Sequence, residues 1–183
     1  MRRDTSSGEN KTIQEIWDWY TVQSQLSLAK KSQVVDALRD NRPILEPALA
    51  GLSLDDIDEF FLELDYLTML DLLAATEAAV RLDYLARGRR QAKGPKKRAA
   101  ITLHFRTVYN NHGSQIRLRE DILGAWKRHL PSCKTAAGKL AEVLKLRHWL
   151  AHGRYWRRHF AIYNPNDVFD LCYNFMHATG ICA

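Results

Sequence analysis

Residues 53–73, SLDDIDEFFLELDYLTMLDLL, carry the longest helical pattern in the chain, and their reading decides the fold. Ser53 stands where an N-cap belongs, with a side-chain oxygen that can accept from a backbone N–H of the first turn. Asp55 and Asp56 put negative charge at the positive end of the helix dipole. Ile57, Phe60, Phe61, Leu64, Leu67, Leu70 and Leu73 then recur at spacings of three and four, which makes a sustained apolar stripe. The pattern persists to about Arg87, where Gly88 is expected to stop it. That is about 35 residues, or roughly 50 Å at 1.5 Å per residue, the length of a bundle's backbone helix or of two helices with a bend.

Upstream, residues 1–10 read as a disordered lead-in, and residues 11–52 as an N-terminal helical extension. Thr12 and Glu15 have capping-box spacing, and Ile13, Ile16, Trp17 and Tyr20 follow at helical intervals. A second helix is expected from about Ser27 to Arg39, ending before Asn41-Arg42-Pro43, with residues 44–51 as a connector or short helix. Downstream, Arg87-Gly88-Arg89-Arg90-Gln91-Ala92-Lys93-Gly94-Pro95-Lys96-Lys97-Arg98 holds seven basic residues and no acid. Its Gly and Pro punctuation reads as an exposed basic loop, 87–98. Helical patterns follow at about 98–110, 117–129 and 134–152, separated by Asn110-Asn111-His112-Gly113 and Leu130-Pro131-Ser132. Pro165-Asn166-Asp167 opens a last helix through Phe169, Leu171, Cys172, Phe175 and Met176. Apart from a few residues near Phe160–Tyr163, no segment alternates as a strand does. The fold class is all-α, a helical bundle occupying residues 53–183 with additional N-terminal helices.

The composition agrees with that. A hydrophobic content of 46% with five Trp, seven Tyr and six Phe is enough for one core. Lys and Arg number 27 against 21 Asp and Glu, and the net charge of +6 suits a phosphate-rich partner such as RNA. Three cysteines (Cys133, Cys172, Cys182), none in a Cys-x-x-Cys pair, argue against a disulfide framework or a cysteine zinc site. A polar start without an apolar core is not a signal peptide, and no apolar run is long enough to span a membrane. No membrane partner is expected, and a cytoplasmic location fits best.

The chemistry gathers at Arg147-His148-Trp149-Leu150-Ala151-His152, at the end of the 134–152 pattern. Gly153 is a good residue on which to leave a helix, and the negative end of the helix dipole favours a cation at His152. A guanidinium and an imidazole are thus held together, with Arg154, Arg157 and Arg158 close by in sequence. Cleaving RNA without a metal needs a base for the ribose 2′-OH, an acid for the departing 5′-oxygen and a cation for the charge that builds between them. Imidazole suits the first two tasks, because its ordinary pKa lies near neutrality. Arginine suits the third, because its planar fork stays charged and matches phosphate oxygens.

Arg147, the polar His148 and then His152 resemble the Arg-x4–6-His motif of the HEPN superfamily, and RHWLAHGRYW is similar to its ribonuclease-like bacterial members. The earlier stretch Leu70 to Arg81, with Glu77 followed by Arg81, resembles the bundle helix whose acidic residue approaches that motif. The likeness covers roughly residues 55–180. It implies a helical bundle, no cofactor, and a homodimer in which two motifs face one cleft. Two copies also answer a chemical difficulty, since one His per chain does not easily serve as acid and base at once. The implied catalytic residues are Arg147, His152 and His148, supported by Glu77, Arg81, Arg154 and Tyr155. RNA contacts are expected from Arg89, Arg90, Lys93, Lys96, Lys97, Arg98, Arg157 and Arg158. In one respect the chain departs from the family. Some HEPN toxins carry a tyrosine two positions after the motif His, which a partner enzyme modifies; here that position is Arg154, and Tyr155 follows it.

Plainer readings stand beside each of these. Arg147 could form a structural salt bridge with Glu77 or Glu142. His148 and His152, four apart, mimic two zinc ligands, but the intervening residues lack the Glu of His-Glu-x-x-His and no third ligand is evident, so no metal is expected. Arg147 and His152 stand about 140° apart in an ideal helix, and reach one phosphate only if the turn distorts near Gly153. Trp149 belongs in a core, which leaves Tyr155 or Trp156 to stack a base. The basic loop could be a solvated connector, and the acidic face from Asp55 to Asp71 a solvated surface or a dock for a basic partner. His104, His112, His129, His159 and His177 share no spacing and read as structural or surface residues. Three functions follow: an endoribonuclease of toxin or phage-defence type, with an antitoxin or regulatory protein as a further partner; a non-catalytic HEPN-like module binding RNA or protein; or a helical adaptor without RNA.

Overall fold

A computed structural model describes residues 10–44, 51–89, 91, 99–154, 157 and 161–181. Among them are six α-helices and no strand: α1 Ile13–Arg39, α2 Leu54–Gly88, α3 Ala100–His112, α4 Gly124–His129, α5 Lys134–Ala151 and α6 Pro165–Thr179. A π-helical turn, Leu118–Leu123, runs into α4, and a 3-10 turn, Pro131–Cys133, leads into α5. The chain is an all-α bundle. No helix among the described residues is long and apolar enough to cross a membrane.

The stretch at 53–73 opens a single unbroken helix of 35 residues. Ser53 caps it, and Asp56 returns a bond to the Ser53 backbone, closing a capping box. The central α2 packs against α1, α3, α5 and α6. Met69, Leu72, Leu73, Val80 and Tyr84 of α2 join Phe105, Ile122, Trp126, Leu140, Leu146, Cys172 and Phe175 in one core. Each fully buried large apolar side chain of this kind contributes about 1.5–3 kcal/mol. Thr68 and Thr76 sit inside without penalty because each hydroxyl donates to the carbonyl four residues back, at 2.8 Å.

Two expectations at the N-terminus change. Ser27 to Arg39 is not a second helix; α1 runs without a break from Ile13, started by the expected Thr12–Glu15 capping box. No Gly or Pro interrupts residues 13–39, so nothing forces a turn there. Nor is all of residues 11–52 an extension, because Ile13 and Ile16 lie in the same core as α2. Val34 is the only other buried residue of α1, whereas Val22, Leu26, Leu28, Val35 and Leu38 are exposed. The start of α1 therefore belongs to the bundle, and its remainder lies along α2 with much apolar surface uncovered.

The basic loop also needs correcting at its start. Arg87 and Gly88 are the last residues of α2, and both are buried. Arg87 is 2% exposed; its Nε donates to Asp83 at 2.6 Å, its Nη1 donates to Thr102 at 2.9 Å, and its guanidinium lies 4.9 Å from the Trp126 ring centre. Gly88 is required by packing: a Cβ there would come within 2.7 Å of Tyr109 Cβ on α3. Composition alone reads an arginine beside Gly-Arg-Arg as solvated, whereas Asp83 one turn earlier gives it an ionic partner inside the bundle. Residues 1–9 and 45–50, as well as Phe160 and Cys182, lie outside the described residues, and Ala161–Tyr163 form no strand.

Candidate active site

The motif occupies the last turn of α5. His152 is the C-cap, and the chain leaves the helix through Gly153 at φ 76°. The Gly153 N–H donates to Leu150 O at 3.4 Å and the Arg154 N–H to Trp149 O at 3.1 Å, the paired bonds of a Schellman ending. Trp149 is buried against Tyr66 of α2, edge to face at 5.8 Å, and anchors the turn to the core as expected. This leaves Arg147 half-buried and His148 and His152 exposed. The two imidazole rings stand 4.3 Å apart.

Glu77 of α2 organises the inner side. Its Oε1 accepts from Arg81 Nε at 2.9 Å, and its Oε2 lies 3.4 Å from Arg147 Nε. The Arg147 Nε–H is shut off from solvent yet lacks hydrogen-bond geometry, so that pair is held by charge rather than by a directional bond. Arg81 also reaches the Ile116 carbonyl at 3.4 Å, tying α2 to the segment before the π-turn. Glu142, the other acid considered for Arg147, binds Lys145 instead, at 2.5 Å, and that hydrogen bond and charge hold its carboxyl below the usual range.

These side chains line a groove of about 850 Å³ between α2, the π-turn and α5. Arg81, Arg117, Arg119, Lys145, Arg147 and His148 face it, against the acids Glu77 and Glu120. The structure thus brings together Arg147, His148, Glu77 and Arg81, as the sequence suggested. His152 does not line the groove; its ring stands against that of His148. Arg117, Arg119 and Lys145 are functional candidates that sequence reasoning missed. Helical periodicity cannot show which loop meets which helix, and the one local signal was the pair Arg117-x-Arg119, set beside Glu120 and Asp121 ahead of Ile122 and Leu123.

The other candidates are placed elsewhere. Arg154, at φ 60°, binds Glu63 at 2.5 Å and lies over the Tyr66 ring at 5.0 Å. The hydrogen bond to Glu63 raises its pKa further. Glu63 precedes Glu77 by about 21 Å along α2, so Arg154 points away from the groove. Arg89 donates to the Tyr109 hydroxyl at 2.9 Å on the α3 side. Arg157 is exposed. Tyr155, Trp156, Arg158, Arg90, Lys93, Lys96, Lys97 and Arg98 lie outside the described residues. Cys133 and Cys172 are buried free thiols, and burial pushes Cys172 up to about 12, which removes it as a thiolate nucleophile. Among the described residues no group of three or more His, Cys, Asp or Glu side chains is placed to hold a metal ion. No protein-family model, curated protein or solved structure matches the chain.

Proposed function

We propose that the chain is a metal-independent endoribonuclease of HEPN type, working as a homodimer in the cytoplasm. The observation that carries this reading is the Glu77 carboxylate holding Arg81 and Arg147 at a cation-lined groove beside His148. In this reading a scissile phosphate lies against Arg147. An imidazole takes the proton of the ribose 2′-OH, the 2′-oxygen attacks phosphorus, and the P–O5′ bond breaks as an imidazolium gives its proton to O5′. The products are a 2′,3′-cyclic phosphate and a 5′-hydroxyl, and Arg147 neutralises the charge that builds on the phosphoryl oxygens. His152 and His148 supply the imidazoles, with a second copy of the motif across the cleft providing the other half of the acid–base pair. Association has surface to draw on, since Val22, Leu26, Leu28, Phe60 and Leu67 are exposed large apolar side chains. A toxin or phage-defence role, with an antitoxin or regulatory protein as a further partner, belongs to the same proposal.

RNA cleavage in EDTA tests it. The native chain is expected to cut, and His152→Ala and Arg147→Ala to lose on the order of 10²–10⁴-fold; undiminished cleavage by both variants sinks the reading. The position of His152 outside the groove favours a second reading, a non-catalytic module that binds RNA through the same cations. That module predicts binding which survives His152→Ala and no cleavage product from any form.

A further inference from the structure

The groove at Arg147 does not end at Arg117. Ile116 and Arg117 also line a second depression, of about 520 Å³, with His104 and His112 of α3, Gln115, Asp121 and Arg128. His104 and His112 are eight residues apart, about 12 Å along the helix axis, so the depression has room for more than one phosphate. Its single acid is already engaged, because Asp121 Oδ2 accepts from the Arg117 N–H at 2.8 Å and lies 3.8 Å from Arg117 Nε. The imidazoles of His104 and His112 line the depression, and the His104 ring packs 4.7 Å from that of His129. Over both depressions six guanidinium or ammonium groups face three carboxylates, Glu77, Glu120 and Asp121.

We propose that the two depressions form one continuous track for single-stranded RNA, the Arg147 groove holding the reacting phosphate and the His104–Arg128 depression holding phosphates that flank it. This inference rests on the RNA reading of the Arg147 groove. A single strand suits the track better than a duplex, because its backbone can bend through adjoining depressions and its unpaired bases can lie on imidazole faces. Arg117, common to both depressions, is the joint between the two segments.

The experiment is salt-dependent binding of labelled 2′-O-methyl oligouridylates, which lack the 2′-OH and so are not cut. A dinucleotide reads the Arg147 groove alone, and a strand of about ten nucleotides reads the whole track. The native chain is expected to bind the long strand more tightly. The double variant Arg128→Glu with His112→Ala, both exposed positions, is expected to weaken the long strand about tenfold or more. It should also flatten the salt slope by about 0.7 for each phosphate that the variant no longer neutralises, while leaving the dinucleotide unchanged. Arg147→Ala is expected to weaken both ligands. Unchanged long-strand affinity and slope in the double variant overturns the track and leaves the Arg147 reading standing; failure of the native chain to bind either ligand overturns both.

Discussion

Two arginine clusters on α2 and its neighbours show how the same chemistry serves different ends. Arg87 reaches Asp83 and Thr102 and is covered by the Trp126 ring, with only 3% of its side chain exposed. Arg147 faces Glu77 across 3.4 Å, with 37% of its side chain open. In the first cluster two guanidinium nitrogens have good hydrogen bonds and no ligand can approach. In the second the pairing is loose, a further cation shares the carboxylate, and a groove lies alongside. A buried, satisfied arginine fixes helices; a half-buried arginine with an imperfect partner retains the capacity to meet an anion.

The largest expected effect comes from breaking the closed cluster. Arg87→Ala leaves Asp83 as an uncompensated charge and should cost about 3–5 kcal/mol in denaturant unfolding. The RNA affinity of the molecules that remain folded should not change. A cost below about 1 kcal/mol, the value for exposed pairs, would erase the distinction between the clusters. The open cluster should respond the other way. Glu77→Gln removes the charge that both arginines face, yet those side chains are 39% and 37% exposed, so its stability cost should stay near or below about 1 kcal/mol. RNA cleavage should nevertheless fall as Arg147 loses its orientation; retained cleavage with large destabilisation would reverse the assignment.

The smallest effect concerns His104, beside the second depression. Burial, then the nearby His129 and Arg128 charges, hold its pKa below the ordinary 6.5. The unfolded chain therefore binds this proton at higher pH than the folded one. The contribution to stability is complete above about pH 6.5 and is lost as pH falls through that value towards the lowered one. Thermal unfolding followed from about pH 7.5 to 5.5 should show a downward slope that His104→Gln makes shallower; an identical slope in the variant rules out His104 as its source.

Much of the fold was legible because it depends on local chemistry. The Ser53 and Thr12 caps and the break at Gly153 each act within a turn or two, and the stripe from Ile57 to Leu73 marked the helix but not its buried face, since Phe60 and Leu67 are exposed while Met69 and Leu72 lie in the core. What could not be read depends on groups distant in sequence. Arg87 looked like part of a solvated basic run because its partner Thr102 and its cover Trp126 come from beyond that run. At the site, Glu77, Arg81, Arg147 and His148 were legible as residues, whereas the walls Arg117, Arg119 and Lys145 were not, since only tertiary packing joins the π-turn to α5. Arg154 shows the opposite error: its closeness to His152 in sequence suggested a shared site, but the left-handed step after Gly153 turns it towards Glu63 and Tyr66.

If Arg147 serves RNA chemistry rather than the fold, Arg147→Ala separates the two when unfolding and cleavage are measured together. The variant is expected to keep a thermal midpoint within a few degrees of native, as a loss of about 1 kcal/mol or less would give, while its RNA cleavage in EDTA falls on the order of 10²-fold or more. Native-level cleavage by the variant, or a loss no greater than its unfolded fraction explains, would contradict that role.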